Sequence, residues 1–386
     1  MYDMLVLLRM PSLPPRLLVG LYVAAAVIVV GALLTSDQPA STATAPTEAA
    51  PSAPEQQTYN LFPAAEDRAT TTPTVVAVAS KQPAAVAAAL QPEPTPPPSP
   101  TTTAQAKDPG TVNTRTRAAL VNIFCTPKTG GPLSGSGIIV DSRGVILTNA
   151  HVAQFLLLQS ALPEGRITCI VRTGSPAKPT YYAKLLYIST AWIDANASKI
   201  GQSHATGNGE NDYAFLQIIG SVDDSPLPNT FSFAQMTTDK PSKGDEVLLA
   251  GYPAGFLESA TIQKGLYITS SFTTVENLFT FKDPKKVDLV SVGGTVVSQS
   301  GASGGSVVRQ RDGALLAVIA TASDAANTAS RDLRAITLAH VDRSLAAEGK
   351  GGIATLLTGD ISQKLEDFNT NTAPALAKKL LDALKK

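Results

Sequence analysis

Short apolar runs separated by turn-forming residues recur between about residues 112 and 322, and they constrain the fold more than any other feature of this sequence. Each run has the length of a β-strand, and the runs lack the spacing of an amphipathic helix. Segments such as 141–144 and 311–313 lie between runs and contain the Asp and Gly residues that tight hairpin turns require. The pattern therefore predicts an all-β domain. The predicted strands are 118–125, 137–140, 145–148, 167–172, 213–218, 246–250, 266–269, 287–292 and 315–322.

The residues before this region, 35–111, have a composition that cannot form a comparable core. They are rich in Pro, Ala and Thr, with a concentration of prolines between residues 92 and 100. Such a composition predicts a disordered linker rather than a folded unit. The chain therefore divides into this linker, a folded domain over 112–348 and a C-terminal extension over 349–386.

The C-terminal extension contains one candidate amphipathic helix. Ala377, Leu380, Leu381 and Leu384 follow the spacing of one helix face, and lysines occupy the other side. We expect this helix to pack on the folded domain. Binding to a membrane surface is the alternative.

A single apolar segment near the N-terminus predicts a transmembrane helix. Residues 17–34 are all apolar, Gly or Tyr, which is close to the roughly 20 residues that span a bilayer as a helix. Arg9 and Arg16 precede this segment, and no Lys or Arg follows before Arg68. The positive-inside rule then keeps residues 1–16 in the cytoplasm and places the rest of the chain in a periplasm or at the cell surface. A cleaved signal peptide is the alternative, and it also exports the chain.

Charge and motif content favour neither nucleic-acid binding nor cofactor binding. The 31 Lys and Arg residues balance the 31 Asp and Glu residues, so no overall field attracts nucleic acid. The histidines are scattered, no CxxC pair occurs and no phosphate-binding loop is visible. We therefore predict no metal site and no cofactor.

The two cysteines, Cys125 and Cys169, both lie in the part of the chain that is predicted to be exported. An oxidising compartment would allow them to form a disulfide bond. A disulfide bond that closes a loop of about 44 residues contributes about 4 kcal/mol to the free energy of unfolding. Two separate buried thiols are an equally good interpretation, because spacing alone does not define a bond.

Three separated segments supply the residue types of a nucleophilic catalytic triad. Ser303 lies in a Gly-Ala-Ser-Gly-Gly turn, and His151 follows the predicted strand 145–148. Asp212 precedes an alternating apolar run, so its carboxylate can be held at a strand end and orient the imidazole. A histidine base with an orienting carboxylate converts a serine hydroxyl into a nucleophile. We therefore predict that Ser303, His151 and Asp212 are catalytic.

The glycines around Ser303 predict an oxyanion hole. Glycine allows backbone angles that other residues avoid, and it lets a substrate carbonyl approach the main chain closely. The N–H groups of Gly301 and Ser303 are expected to bind the oxygen that becomes negative during acyl transfer.

These segments together resemble a trypsin-fold serine protease of the bacterial HtrA-like branch. The resemblance covers about residues 115–348. It implies two six-stranded antiparallel β-barrels with the active site between them, and it implies that Val297 forms the floor of the primary substrate pocket. HtrA-like proteases usually carry a PDZ module, which the residues after 348 are too few to form. The segments that carry the resemblance are SGSGIIV at 134–140, TNAHV at 148–152, NDYAFL at 211–216, GYPAG at 251–255 and GASGG at 301–305.

The expected function is hydrolysis of protein or peptide substrates by a membrane-tethered, extracytoplasmic serine endopeptidase, in protein quality control or processing. Two alternatives remain. An α/β-hydrolase-type esterase would use Ser303 with Asp332 and His340, but it needs a helix directly after the serine, where this sequence has a strand-like run and a turn. A catalytically silent binding protein would use the same scaffold without the chemistry.

Overall fold

The computed structural model describes residues 107–200, 208–322 and 330–385. Within these ranges the first sheet is a closed antiparallel barrel, hydrogen-bonded in the order β1-β2-β3-β6-β5-β4. The six-stranded antiparallel barrel predicted for this half is therefore confirmed. Its strands are β1 (Leu120–Pro127), β2 (Leu133–Asp141), β3 (Val145–Thr148), β4 (Ile167–Thr173), β5 (Lys178–Ile188) and β6 (Ala214–Ser221).

The first barrel closes where β1 pairs with β4, and a disulfide bond lies across this seam. Cys125 on β1 stands opposite Cys169 on β4 in the antiparallel register, and their sulfur atoms are bonded at 2.07 Å. Both side chains are buried in the same apolar cluster as the neighbouring strands. The bond therefore links the first and last strands of the hydrogen-bonded order.

The second sheet has seven strands in the order β8-β7-β11-β12-β13-β10-β9, which corrects the expected six. The extra strand arises because one extended segment changes its partner: β8 pairs with β7, and β9 pairs with β10. Between them, Val275 accepts a hydrogen bond from Gly244 and Glu276 donates one to Ser291. The strands are β7 (Glu246–Gly251), β8 (Thr269–Thr274), β9 (Asn277–Phe279), β10 (Leu289–Ser291), β11 (Ser306–Arg309), β12 (Leu315–Ala322) and β13 (Leu333–Thr337).

Helices surround the two sheets. The first begins inside the predicted linker, because Asp108 caps it by accepting a hydrogen bond from the Thr111 amide and Pro109 occupies its first turn. Ordered structure therefore starts before residue 112. The helices are α1 (Pro109–Ala119), α2 (Ala150–Ala161), α3 (Thr190–Asn196), α4 (Ser259–Lys264), α5 (Leu338–Ala347), α6 (Ile353–Leu357), α7 (Ile361–Asn371) and α8 (Ala373–Leu384).

The C-terminal extension forms α6, α7 and α8, where the sequence predicted one amphipathic helix. Ala377 and Leu380 are buried in the main apolar cluster, as that helix face predicts. Helix α8 packs against α2 and α3, and α7 packs against β5. Packing of this helix on the folded domain is therefore confirmed, although Leu384 at its end is exposed.

The predicted transmembrane segment, 17–34, lies outside the described residues, as does the linker up to residue 106. Among the residues that the structure describes, no helix has both the length and the apolar character needed to cross a bilayer.

Candidate active site

His151 is positioned by the junction between β3 and α2. Strand β3 ends at Thr148, α2 begins at Ala150, and the histidine is the second residue of the helix. The strand is wholly buried, so the histidine backbone is fixed to the first barrel. Its side chain keeps 21% of its surface accessible, although Nε2 itself is buried.

Asp212 contacts this histidine with both carboxylate oxygens. Oδ2 lies 2.7 Å from His151 Nδ1, and Oδ1 accepts a 2.9 Å hydrogen bond from the His151 main-chain N–H. The carbonyl of Asp212 also accepts a 2.8 Å hydrogen bond from the Asn149 side chain. These contacts hold the ring and its backbone together and direct Nδ1 at Asp212, so Nε2 lies on the opposite edge of the ring.

The segment that carries Asp212 is held by α5. Asn211 adopts a left-handed conformation with φ of 58°, which is strained for a residue with a side chain. Its Oδ1 accepts a 2.8 Å hydrogen bond from Ser344 Oγ, and Ser344 Oγ accepts a 2.9 Å hydrogen bond from Tyr213 OH. A serine on α5 therefore joins the two neighbours of Asp212.

The turn that carries Ser303 approaches the first barrel closely at Gly304. This glycine has φ of +85°, and a Cβ placed there would lie 1.9 Å from the Ser136 carbonyl oxygen and 2.4 Å from Thr148 Oγ1. Ser136 N–H donates a 2.7 Å hydrogen bond to the Ser303 carbonyl. The turn is therefore docked beside the end of β3, three residues before His151.

The Ser303 hydroxyl itself donates a long, 3.4 Å hydrogen bond to the carbonyl of Ala320 on β12. The serine residue is 6% exposed. The structure thus brings His151 and Asp212 into direct contact and docks the Ser303 turn nearby, with the serine hydroxyl directed at a second-sheet carbonyl.

The N–H groups of Gly301 and Ser303 are available for an anion. Within the described ranges neither group donates a hydrogen bond, whereas the carbonyls before them are occupied: Ser300 O accepts from Ala254 N at 2.6 Å and Ala302 O accepts from Gly305 N at 2.8 Å. Because C=O and N–H point in opposite directions across a trans peptide, these bonds direct the two N–H groups away from the partners of the preceding carbonyls, Ala254 and Gly305. This arrangement can stabilise developing negative charge.

Val297, which the resemblance places at the floor of the primary substrate pocket, lies in a buried part of the second sheet, and its role in a pocket stays a prediction. Its exposure is 0%, and it packs in the second-sheet core with Val247, Leu249 and Ala302.

The esterase arrangement is contradicted. Ser303 is followed by strand β11 rather than a helix. His340 Nδ1 lies 2.9 Å from Asp288 Oδ1, while Asp332 pairs with Arg334 at 2.8 Å. The residues that such an enzyme would use are therefore paired with other side chains.

The His340 and Asp288 pair has shifted pKa values for structural reasons. Burial lowers the pKa of His340, and the contact with Asp288 opposes this only in part. Burial raises the pKa of Asp288, but hydrogen bonds from the Phe281 amide, His340 and Arg343 outweigh it, so the net shift is downward. The pair joins α5, which carries His340, to Asp288, which directly precedes β10 of the second sheet.

Sequence reasoning did not identify Ser136, Asn149 or Ser344 as parts of this site. Ser136 and Asn149 lie inside the motifs SGSGIIV and TNAHV, so their motif membership was the available signal. Ser344 has no such signal, because its contact with Asn211 joins residues separated by 133 positions. In the described part of the chain, no group of three or more His, Cys, Asp or Glu side chains is arranged to hold a metal ion.

Comparisons with known proteins agree with this geometry at the level of the domain. Residues 135–318 match the family model of the trypsin-like peptidase domain. No curated protein matches the sequence.

Among solved structures, the HtrA-type protease AlgW with a tripeptide is similar at 20% identity with a TM-score of 0.39, over 63% of this chain and 65% of AlgW. The Rv3671c protease of M. tuberculosis in its active form is similar at 20% identity with a TM-score of 0.38, over 65% of this chain and 93% of that one. An inactive mutant form of Rv3671c is similar at 20% identity with a TM-score of 0.38, over 66% of this chain and 96% of that one.

Proposed function

We propose that this chain cleaves protein substrates with Ser303, His151 and Asp212 as its catalytic triad. Residues 135–318 match the trypsin-like peptidase domain, so the chain is a serine-type endopeptidase. The observation that carries this proposal is the two-point contact between Asp212 and His151, at 2.7 and 2.9 Å, beside the turn that bears the serine. Such a contact fixes both the tautomer and the orientation of the imidazole.

The first chemical step is attack by the Ser303 hydroxyl on the scissile carbonyl carbon. The hydroxyl turns from the Ala320 carbonyl, a weak bond at 3.4 Å, towards His151 Nε2, which takes its proton as the new C–O bond forms. The imidazolium that results is stabilised by Asp212 through the Nδ1 hydrogen bond.

The carbonyl oxygen becomes negative in the tetrahedral intermediate. The N–H groups of Gly301 and Ser303 bind it, and each donor of this kind is worth about 3 to 4 kcal/mol of transition-state stabilisation. When the intermediate collapses, His151 returns the proton to the departing amine, and the substrate's acyl group stays bonded to Ser303. Water then attacks this acyl-enzyme with His151 again acting as the base, and collapse of the second intermediate breaks the ester bond, releases the carboxylic acid product and returns the proton from His151 to Ser303 Oγ.

The setting that we propose is extracytoplasmic, with the chain tethered to a membrane by residues 17–34 and held away from it by the linker. The apolar segment and its preceding arginines support this placement. Protein quality control or processing, as in HtrA-like proteases, fits an exported endopeptidase. Fractionation of cells should recover the uncleaved chain in the membrane; a soluble chain that lacks its first residues would favour a cleaved signal peptide instead.

Casein degradation by the full chain and its Ser303→Ala variant tests the enzymatic function. We expect the variant to lose activity on the order of 10⁴-fold or more, because triad members act as a unit. Ser189→Ala is a matched control, since Ser189 is also a buried serine but its hydroxyl bonds to Glu348 and not to the site.

A fluorophosphonate probe separates the protease from a catalytically silent binding protein. The probe phosphonylates only an activated serine, so it should label the wild-type chain at Ser303 and fail to label Ser303→Ala. Absence of labelling in the folded wild-type chain would overturn the proposed chemistry.

A further inference from the structure

Ser136 on β2 is fully buried and uses both its main chain and its side chain to hold the turn of Ser303. Its N–H donates to the Ser303 carbonyl at 2.7 Å, and its hydroxyl donates to the Gly301 carbonyl at 2.7 Å. The same hydroxyl accepts a 2.8 Å hydrogen bond from the Tyr252 N–H. One residue of the first barrel thus holds two carbonyls of the turn, on either side of Ala302.

The Tyr252 contact extends this hold to the peptide that bears the Gly301 N–H. Two residues after Tyr252, the Ala254 N–H donates to the Ser300 carbonyl at 2.6 Å, which sets the direction of the Gly301 N–H. The Ser136 hydroxyl is therefore bonded to two groups. One is the Tyr252 N–H, in the segment that orients the Gly301 N–H, and the other is the Gly301 carbonyl, which lies between the Gly301 and Ser303 N–H groups along the chain.

Ser136 is also bonded to the histidine side of the site. Its carbonyl accepts a 2.7 Å hydrogen bond from Thr148 Oγ1, at the end of β3, three residues before His151. Movement at Ser136 would therefore change the distance between the turn and the base.

We propose that Ser136 is a positioning residue whose hydroxyl keeps the Gly301 and Ser303 N–H groups aimed at the oxyanion. This role rests on the proposed protease function. Removal of the hydroxyl leaves the Gly301 carbonyl and the Tyr252 N–H without a partner in a buried place, and both groups then shift to recover hydrogen bonds. Misdirected donors weaken transition-state binding more than substrate binding, so the loss falls on kcat rather than on KM.

Ser189 provides the matched control. It is also fully buried, and its hydroxyl also combines one donated bond, to Glu348 at 2.7 Å, with one accepted bond, from the Trp192 N–H at 3.2 Å. Ser189→Ala therefore also removes one donated and one accepted hydrogen bond of a buried serine, without touching the turn. A merely structural role for Ser136 predicts equal behaviour of the two alanine variants.

The test measures kcat and KM on casein, and the rate constant of fluorophosphonate labelling, for the full chain and for Ser136→Ala and Ser189→Ala. The folded fraction of each preparation is determined by far-UV circular dichroism, because Ser189→Ala removes a contact of Trp192 and would change its fluorescence directly, and rates are expressed per folded molecule. We expect Ser136→Ala to lower kcat and the labelling rate constant roughly ten- to a hundredfold with KM within about twofold of wild type, which is less than the loss of a donor itself. Ser189→Ala should stay within about twofold in all three.

Equal kcat in Ser136→Ala and wild type, or an equal loss in Ser189→Ala, would overturn the positioning role. If Ser136→Ala does not fold, Ser136→Cys keeps a weaker donor of similar size and should give a smaller loss in the same direction; unchanged kcat in that variant also refutes the role. A wild-type chain that is not labelled at Ser303 instead refutes the protease function, so the two failures are distinguishable.

Discussion

We expect Ser344→Ala to destabilise the protein more than Tyr213→Phe, which removes the hydroxyl that donates a hydrogen bond to Ser344. Tyr213 is fully buried and its OH donates to Ser344 Oγ at 2.9 Å, while Ser344 Oγ donates to Asn211 Oδ1 at 2.8 Å. Burial raises the pKa of Tyr213, so the phenol keeps its proton and remains a donor at neutral pH. Ser344→Ala therefore removes the hydrogen-bond acceptor of a buried donor.

The expected costs follow from this asymmetry. Each hydrogen bond contributes about 1 kcal/mol net, and an orphaned buried hydroxyl costs a further 1–3 kcal/mol or so. Ser344→Ala loses two hydrogen bonds and should therefore lower the free energy of unfolding by about 3–5 kcal/mol, whereas Tyr213→Phe loses one and should lower it by about 1 kcal/mol. In the double variant the orphaned hydroxyl is absent, so Tyr213→Phe should restore about 1 kcal/mol or more to Ser344→Ala.

Urea unfolding followed by the fluorescence of Trp192, the only tryptophan of the chain, measures these free energies. We also expect casein kcat to fall by less than about tenfold in Ser344→Ala, since Asp212 keeps both contacts with His151. A double variant that is less stable than Ser344→Ala by the full cost of Tyr213→Phe would refute the reasoning, because the two hydroxyls would then act independently.

Replacing both Cys125 and Cys169 with alanine should lower the free energy of unfolding in urea by about 2–4 kcal/mol, because the bond closes a loop of 44 residues; a loss under about 1 kcal/mol contradicts this. Because burial lowers the pKa of His340 below 6.5, the unfolded chain binds its proton first and stability should decline as pH falls below about 6.5. The melting temperature of His340→Gln should then change less between pH 7.5 and 5.5 than that of wild type, and equal slopes would argue against it. Gly304→Ala should abolish casein cleavage, since its Cβ would lie 1.9 Å from a β2 carbonyl oxygen, whereas Gly165→Ala, at φ of +76° in open space, should cost only about 1–3 kcal/mol of strain. Comparable activity in the two glycine variants would show that the close contact is not limiting.

The sequence predicted those elements whose signal is local. The runs 145–148 and 315–322 coincide with β3 and β12, because a short apolar run that is rich in β-forming residues and lies between turn residues is typical of a strand. Helix α2 was missed because most of its residues are apolar and buried, which removes the periodicity that marks a helix. Strand β5 was missed because its first half is polar and partly exposed.

The site divides in the same way. His151, Asp212 and Ser303 each stand in a short motif, so their chemistry could be inferred from the sequence. The contacts of Ser136 with Gly301, over a separation of 165 residues, and of Ser344 with Asn211 exist only when the two sheets are assembled. The burial of Val297 depends in turn on side-chain direction in the second core, which position before a serine does not define.

These long-range contacts also explain how the site is held without a charged group beside the nucleophile. The residue before Ser303 is Ala302, which is fully buried and apolar, so no carboxylate there can anchor the turn. Instead Ser136 holds the serine turn to the first barrel. Helix α5 bonds to the aspartate segment through Ser344. The same helix bonds to the second sheet through His340 and Arg343, which both contact Asp288. The serine side and the aspartate side of the site are thus each fixed by hydrogen bonds that cross between chain segments distant in sequence. The alignment of the site therefore depends on how well the two sheets are packed together.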